Sequence, residues 1–295
     1  MQIRNIAVVG GGTMGRGIAA LAALAGYKTA LHDVDAQALA AARQRIQREL
    51  EESVRKGKRS ADEIDAALAR LGFHADLEEA CADAELVIEA VYEDLELKRS
   101  TFTKLGELCG PDCILASNTS SLPVTAIAAA ADRPERAIGM HFFNPPLAMK
   151  LVELVLAVQT APETLKVARE VARRMGKETV EVRDAPGFAT SRLGVVLGLE
   201  AIRMVESGVA SAADIDRAME LGYRHPMGPL KLTDYVGLDV RLAIAEHLHR
   251  ELGGEQYRPP ALLRALVRAG KLGRKSGEGF YRWDAEGPKP KGESR

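Results

Sequence analysis

The sequence predicts an α/β domain built on a mostly parallel sheet, followed by an all-α domain. Three observations carry this. Short β-branched apolar runs alternate with longer helical periods through the first half of the chain, the pattern of a parallel sheet covered by helices on both faces. A glycine loop, Gly10-Gly11-Gly12-Thr13-Met14-Gly15, separates the first apolar run from the first helical stretch. After Asp184-Ala185-Pro186-Gly187 only helical periods continue. A chain of 295 residues, at about 150 residues per domain, is expected to form two domains, 1–185 and 186–295.

Ile3–Val9 opens as a strand with no signal-peptide flank before it. Met14–Ala25, rich in Ala and Leu, is the first helix, Lys28–Asp33 a short strand, and Ala36–Arg55 a long helix with Arg and Glu on its polar face. Leu86–Val91, Cys113–Ala116 and Ala137–Phe143 read as further buried strands with helical stretches between them. In the second half Arg192–Ser207 is a long helix. Ala212–Glu220 follows an N-cap at Ser211, with Asp214 at the capping-box position. Leu238–Leu252 and Ala261–Ala269 are also helical. Asp284 to Arg295, with Gly, Pro and charge but little apolar content, reads as a frayed tail.

Composition narrows the function. Forty Lys and Arg against 41 Asp and Glu give a net charge of −1. Neither nucleic acid nor an anionic membrane surface is attracted globally, so an anionic ligand must be held by local basic residues. A hydrophobic share of 46% and a charged share of 27% exclude disorder over most of the chain. The sequence has no charge-free apolar stretch long enough to span a bilayer. Cys81, Cys109 and Cys113 are too few and scattered for a disulfide framework, and no further Cys or His pair turns Cys109 and Cys113 into a metal site. Buried thiols, no metal and a reducing cytoplasm are expected.

Gly10, Gly12 and Gly15 satisfy G-x-G-x-x-G between a strand and a helix. Gly10 permits the tight turn, Gly12 lets the backbone approach a pyrophosphate, and Gly15 lets the helix pack closely on the strand. The helix N-terminus presents N–H groups to phosphates. Thr13 and Met14 complete this cofactor loop of a Rossmann-like domain. Asp33 lies 18 residues beyond Gly15. A carboxylate there accepts from ribose hydroxyls and repels a 2′-phosphate, which predicts NAD over NADP. The competing readings are a helix cap for Asp33 and an ordinary strand–helix turn for the loop.

Ser117-Asn118-Thr119-Ser120-Ser121 gathers hydroxyls and an amide at the end of a strand, where ligands of open α/β sheets bind. Turn chemistry with a helix cap is the alternative. The next strand ends in His141-Phe142-Phe143-Asn144-Pro145-Pro146, and Glu153 follows His141 by 12 residues within the apolar run Lys150–Leu154. A buried acid needs a partner. The intervening Pro-Pro suggests a turn that lets His141 and Glu153 face each other as an acid–base pair.

These residues resemble the L-3-hydroxyacyl-CoA dehydrogenases, particularly the short, monofunctional bacterial 3-hydroxybutyryl-CoA dehydrogenases. The resemblance rests on Gly10–Gly15, Ser117–Ser121, His141–Pro145, Met149–Glu153 and Pro186-Gly187-Phe188. His225-Pro226-Met227-Gly228-Pro229-Leu230, Gly273–Gly277 and Gly279-Phe280-Tyr281 extend it through the second half, so that it runs from Ile3 to about Trp283. It implies a Rossmann-like domain followed by a helical domain for substrate and dimerisation. The implied activity is reversible NAD-dependent oxidation of a (S)-3-hydroxyacyl-CoA, in fatty-acid β-oxidation or butanoate metabolism.

By the same resemblance His141 is the catalytic base, Glu153 its partner, and Ser120 a residue near both nicotinamide and substrate hydroxyl. Glu93, Lys98, Asn144 and Lys275 contact the cofactor. Lys56, in the basic stretch Arg48–Arg59, stands near the coenzyme A; a solvated helix end is the other reading of that stretch. Ser191 occupies the place of an asparagine that the family counts in its active site, so its assignment as a substrate residue is weakened. A dehydrogenase of a free hydroxy acid or sugar acid, of the L-gulonate type, is the nearest rival. A non-catalytic NAD(H) sensor would lack the His–Glu pair.

Overall fold

The computed structural model describes residues 2–290. The chain divides after Ala185 into two compact units. The first comprises β1 (Asn5–Val9), α1 (Thr13–Leu24), β2 (Lys28–His32), α2 (Ala36–Arg55), α3 (Ala61–Leu68), β3 (Leu71–His74), α4 (Leu77–Cys81) and β4 (Leu86–Glu89). It continues through α5 (Leu95–Leu108), β5 (Ile114–Ser117), α6 (Val124–Ala128), β6 (Ala137–Phe142), β7 (Leu151–Leu156), α7 (Pro162–Arg174) and β8 (Glu178–Arg183).

The strands form one eight-stranded sheet in the order β3-β2-β1-β4-β5-β6-β7-β8. Only the β6–β7 pairing is antiparallel. β4 and β5 are buried along their whole length, which is why Leu86–Ile88 and Ile114–Ala116 read as unbroken apolar runs. The order of strands reverses between β1 and β4, the switch point at which such sheets leave a crevice beyond their carboxyl ends. β3 and β8 escaped the sequence reading. β3 is only four residues and includes Gly72. β8 is a half-solvated edge strand, Glu-Thr-Val-Glu-Val-Arg, with polar residues at most positions.

The second unit holds α8 (Thr190–Glu206), α9 (Ala212–Gly222), α10 (Pro229–Val236), α11 (Leu238–Leu252), α12 (Ala261–Arg268), β9 (Tyr281–Asp284) and β10 (Gly287–Pro290). As expected, Ser211 caps α9 by accepting from the Asp214 N–H. The helices close on Leu199, Ile202, Leu230, Leu238, Leu248 and Leu263. Two wholly buried acids order this unit. Asp216 accepts from the Leu230 and Lys231 N–H groups at 2.7 and 2.9 Å and from the Tyr281 hydroxyl at 2.7 Å. Asp234 accepts from the N–H groups of Phe280 and Tyr281 and from the Trp283 indole, each at 2.8 Å.

These bonds correct the expectation of a frayed tail from Asp284. β9 and β10 pair antiparallel, Asp284 opposite Gly287 and Trp283 opposite Pro288. Gly287 supplies the positive φ, 120°, that the turn requires. Lys289 reaches back to Asp284 at 2.7 Å and Glu286 at 2.8 Å. Proline suits an edge strand whose outer N–H groups have no partner strand. The rest of the expected tail, 291–295, lies outside the described residues.

Candidate active site

The dinucleotide loop joins β1 to α1. Gly10 has φ 108° and donates its N–H to His32 O at 2.8 Å. A Cβ there would lie 2.5 Å from Ala90 O, and a Cβ on Gly15 would lie 1.7 Å from Gly10 O. A Cβ on Gly12 would meet no atom within 4 Å. The first two glycines are therefore demanded by the protein's own packing, whereas Gly12 faces open space.

Asp33 Oδ2 accepts from the Gly11 N–H at 2.7 Å and Oδ1 from the Asp35 N–H at 3.0 Å. The cap of α2 is Asp35, which accepts from Gln37 N at 2.8 Å, so the capping reading of Asp33 fails. Gly10, Gly12, Thr13, Met14 and Asp33 all line one cavity of about 580 Å³. An open backbone approach at Gly12, a helix N-terminus and a fixed carboxylate in one hollow fit a dinucleotide.

His141 and Glu153 are register partners on the antiparallel β6–β7 ladder, so their side chains project from the same face. Both are buried, and His141 Nδ1 lies 2.7 Å from Glu153 Oε2. Facing an ionised carboxylate, which can only accept, Nδ1 is the donor and Nε2 the ring nitrogen able to take a proton. Phe143 lies tilted against the imidazole, with ring centroids 4.4 Å apart.

Ser120 follows the end of β5. Asn118 Oδ1 accepts from the Phe142 N–H at 2.9 Å, tying this loop to the residue after His141. Glu93 Oε1 accepts from the Thr119 hydroxyl at 2.6 Å, the Ser120 N–H at 2.9 Å and the Ser120 hydroxyl at 3.3 Å. Thr119 Oγ1 also accepts from the Leu122 N–H at 3.0 Å, so turn chemistry and site geometry share these hydroxyls. Burial opposes the charge on Glu93, but Lys98 and the bonds from Thr119 and Ser120 hold its pKa below the usual carboxylate value. Lys98 is itself buried. Its ammonium lies 2.7 Å from Glu89 Oε1 and 3.3 Å from both Val91 O and Glu93 Oε2, so its three protons point at protein acceptors.

The structure thus brings together His141 with Glu153, Ser120 with Glu93 and Lys98, and the glycine loop with Asp33. Asn144 is exposed in the turn after β6. Lys56 is exposed beyond α2 and paired with Glu52 at 2.6 Å. In the second unit, Lys275 pairs with Asp239 at 2.6 Å and Ser191 is half-buried in the first turn of α8. Sequence reasoning missed Glu89, the wholly buried acid ending the apolar run Leu86-Val87-Ile88. An acid embedded in an apolar run was the signal that singled out Glu153, and Glu89, between Ile88 and Ala90-Val91, carries it as well.

A doubly wound sheet with a dinucleotide loop at its switch point, and an imidazole–carboxylate pair on its β6–β7 ladder, defines a nicotinamide-dependent oxidoreductase. The model of the 3-hydroxyacyl-CoA dehydrogenase NAD binding domain matches residues 5–185, and that of the same enzyme's C-terminal domain matches 187–283. The chain belongs to the 3-hydroxyacyl-CoA dehydrogenase family, and its cofactor is NAD. It is 47% identical to a probable 3-hydroxybutyryl-CoA dehydrogenase of Bacillus subtilis, over 96% of this chain and 99% of that one. Among solved structures it is similar to Mycobacterium tuberculosis FadB2, with TM-score 0.93 and 43% identity over 96% of this chain and all of the other. It is also similar to the (S)-3-hydroxybutyryl-CoA dehydrogenase of Ralstonia eutropha, with TM-score 0.92 and 37% identity at the same coverage.

Proposed function

We propose that this protein interconverts (S)-3-hydroxybutyryl-CoA and acetoacetyl-CoA, with His141 as proton acceptor and donor. The register pairing of His141 with Glu153 carries the reading. Held by the glycine loop and Asp33, NAD would supply the acceptor for the C3 hydride. His141 Nε2 takes the hydroxyl proton, and Glu153 stabilises the imidazolium that forms. Proton transfer by a positioned side chain contributes about 10²–10⁴-fold. Ser120 holds the substrate oxygen, with Glu93 orienting its hydroxyl. Ser191 lines the site, and its shorter side chain leaves room for the acyl group where the family places asparagine. Lys56 meets the coenzyme A, while Asn144 and Lys275 complete the cofactor contacts.

Relatives named for 3-hydroxybutyryl-CoA favour this reading over a free hydroxy acid. Turnover of acetoacetyl-CoA with NADH is expected to exceed that of free acetoacetate, and that of acetoacetyl-CoA with NADPH, by about 10²-fold or more. Removing one charge-assisted hydrogen bond, or setting two like charges against each other, accounts for a factor of that size. Equal kcat/KM for the thioester and the free acid would overturn the substrate class. Equal kcat/KM for the two cofactors would overturn the role of Asp33.

Two coarser features accompany the proposal. Among the described residues no helix is long and apolar enough to cross a membrane, and the cytoplasm, a reducing compartment, suits three free thiols. The second unit is read as a homodimerisation surface. Leu193, Leu221 and Tyr223 are each more than 70% exposed, and Tyr235 and Val236 on α10 and Val240 on α11 are exposed as well. So much uncovered apolar area marks an interface. Light scattering at micromolar concentration is expected to give twice the chain mass; a monomer refutes the dimer.

A further inference from the structure

The chemistry just described leaves Glu89 without a task, although burying an acid is costly. Glu89 ends β4 and is the register partner of Ser117 at the end of β5. Its carboxylate is fully engaged. Oε2 accepts from the Ser117 hydroxyl at 2.6 Å, and Oε1 accepts from Lys98 Nζ at 2.7 Å and the Val91 N–H at 2.8 Å. A buried ion pair adds little stability over well-packed apolar side chains, so stability does not explain it. The same ammonium lies 3.3 Å from Glu93 Oε2, and Glu93 Oε1 receives both the N–H and the hydroxyl of Ser120. A carboxylate–ammonium–carboxylate chain therefore runs from the carboxyl end of the sheet to Ser120.

We propose that Glu89 is a positioning residue for Ser120, acting through Lys98 and Glu93. The proposal rests on the reading of Ser120 as the ligand of the substrate oxygen. With both carboxylates ionised and Lys98 protonated, the chain carries one net negative charge. Glu89 and the Val91 carbonyl anchor Nζ at the strand end. Glu93 then meets the ammonium with one oxygen and keeps the other for Thr119 and Ser120. Without the charge on Glu89, Lys98 is left with a single carboxylate partner. The ammonium moves toward Glu93, competes with Ser120 for it, and releases the hydroxyl from its orientation.

The test is a double-mutant cycle read by steady-state kinetics with acetoacetyl-CoA and NADH. Glu89→Gln is expected to lower kcat about tenfold, the scale of one misplaced hydrogen bond. KM for acetoacetyl-CoA should stay within about threefold, as for an interaction made mainly in the transition state. Combining Glu89→Gln with Ser120→Ala is expected to cost no more than Ser120→Ala alone, to within about twofold, because both changes remove one interaction. Losses that multiply in the double variant overturn the proposal, as does a Glu89→Gln enzyme with wild-type kcat. Should Glu89→Gln fail to fold by circular dichroism, Glu89→Asp replaces it in the cycle, since it keeps the charge and draws the carboxylate back from the Lys98 ammonium. Non-additivity with Ser120→Ala again supports the proposal, and additivity again overturns it. A fully active Ser120→Ala is a different failure: it removes the reading of Ser120 itself, and the positioning role with it.

Discussion

His141→Gln is expected to lower turnover of acetoacetyl-CoA by about 10²-fold or more, the size of a lost general acid–base contribution, while NADH still binds. Glutamine can still donate an amide N–H to Glu153, which lies 2.7 Å from Nδ1 in the wild-type protein, so the buried carboxylate keeps a partner. What glutamine cannot do is carry a proton at neutral pH. Glu153→Gln should also lower kcat, since the imidazolium then forms on a buried ladder without its counter-charge. Rates are compared under conditions in which chemistry is shown to limit turnover. Either variant keeping more than about half the wild-type rate would remove the pair from the chemical step, because general acid–base catalysis lost outright costs far more than that.

The second large effect is expected at Gly15. A methyl group there would stand 1.7 Å from the carbonyl oxygen of Gly10. That oxygen belongs to the backbone and cannot rotate away, so α1 must lift from β1. Overpacking costs about 1–3 kcal/mol, and a rigid obstacle puts Gly15→Ala at the upper end, about 10²-fold in NADH affinity together with a lowered Tm. Gly12→Ala is the control. Its Cβ meets no protein atom within 4 Å, so Tm should hold while NADH binding alone weakens. Thermal melts and NADH fluorescence titrations on both variants decide the matter. An unchanged Tm and Kd in Gly15→Ala would show that the helix does not need its close approach to the loop.

Much of this was legible in the sequence wherever one residue type answers one physical demand. Ile6–Val9 and Leu86–Ile88 are buried on both faces and are written in unbroken apolar letters. The glycine loop is written in glycines because a Cβ collides with backbone at Gly10 and Gly15. His141 and Glu153 could be paired from a turn and a buried acid. Features that depend on long-range partners stayed hidden. β8 exists because β7 offers it a ladder, and its own residues are half solvated. β9 and β10 exist because Asp234, 46 residues before Phe280, holds the chain there. The resemblance makes Lys98 a cofactor contact, and only the folded sheet shows it sealed against Glu89.

The two buried acids of the second unit have a consequence for synthesis. Asp216 and Asp234 leave the ribosome long before Phe280, Tyr281 and Trp283, the residues that donate to them. Domains generally fold in order as the chain emerges. The dinucleotide unit can therefore finish early, while the helical unit waits for almost its last strand with two carboxylates short of donors. Each buried group left in that state costs about 1–3 kcal/mol, more when charged. A chain cut before Phe280 would keep both acids and lose donors to each. The fold thus carries its own check on whether translation has passed Trp283.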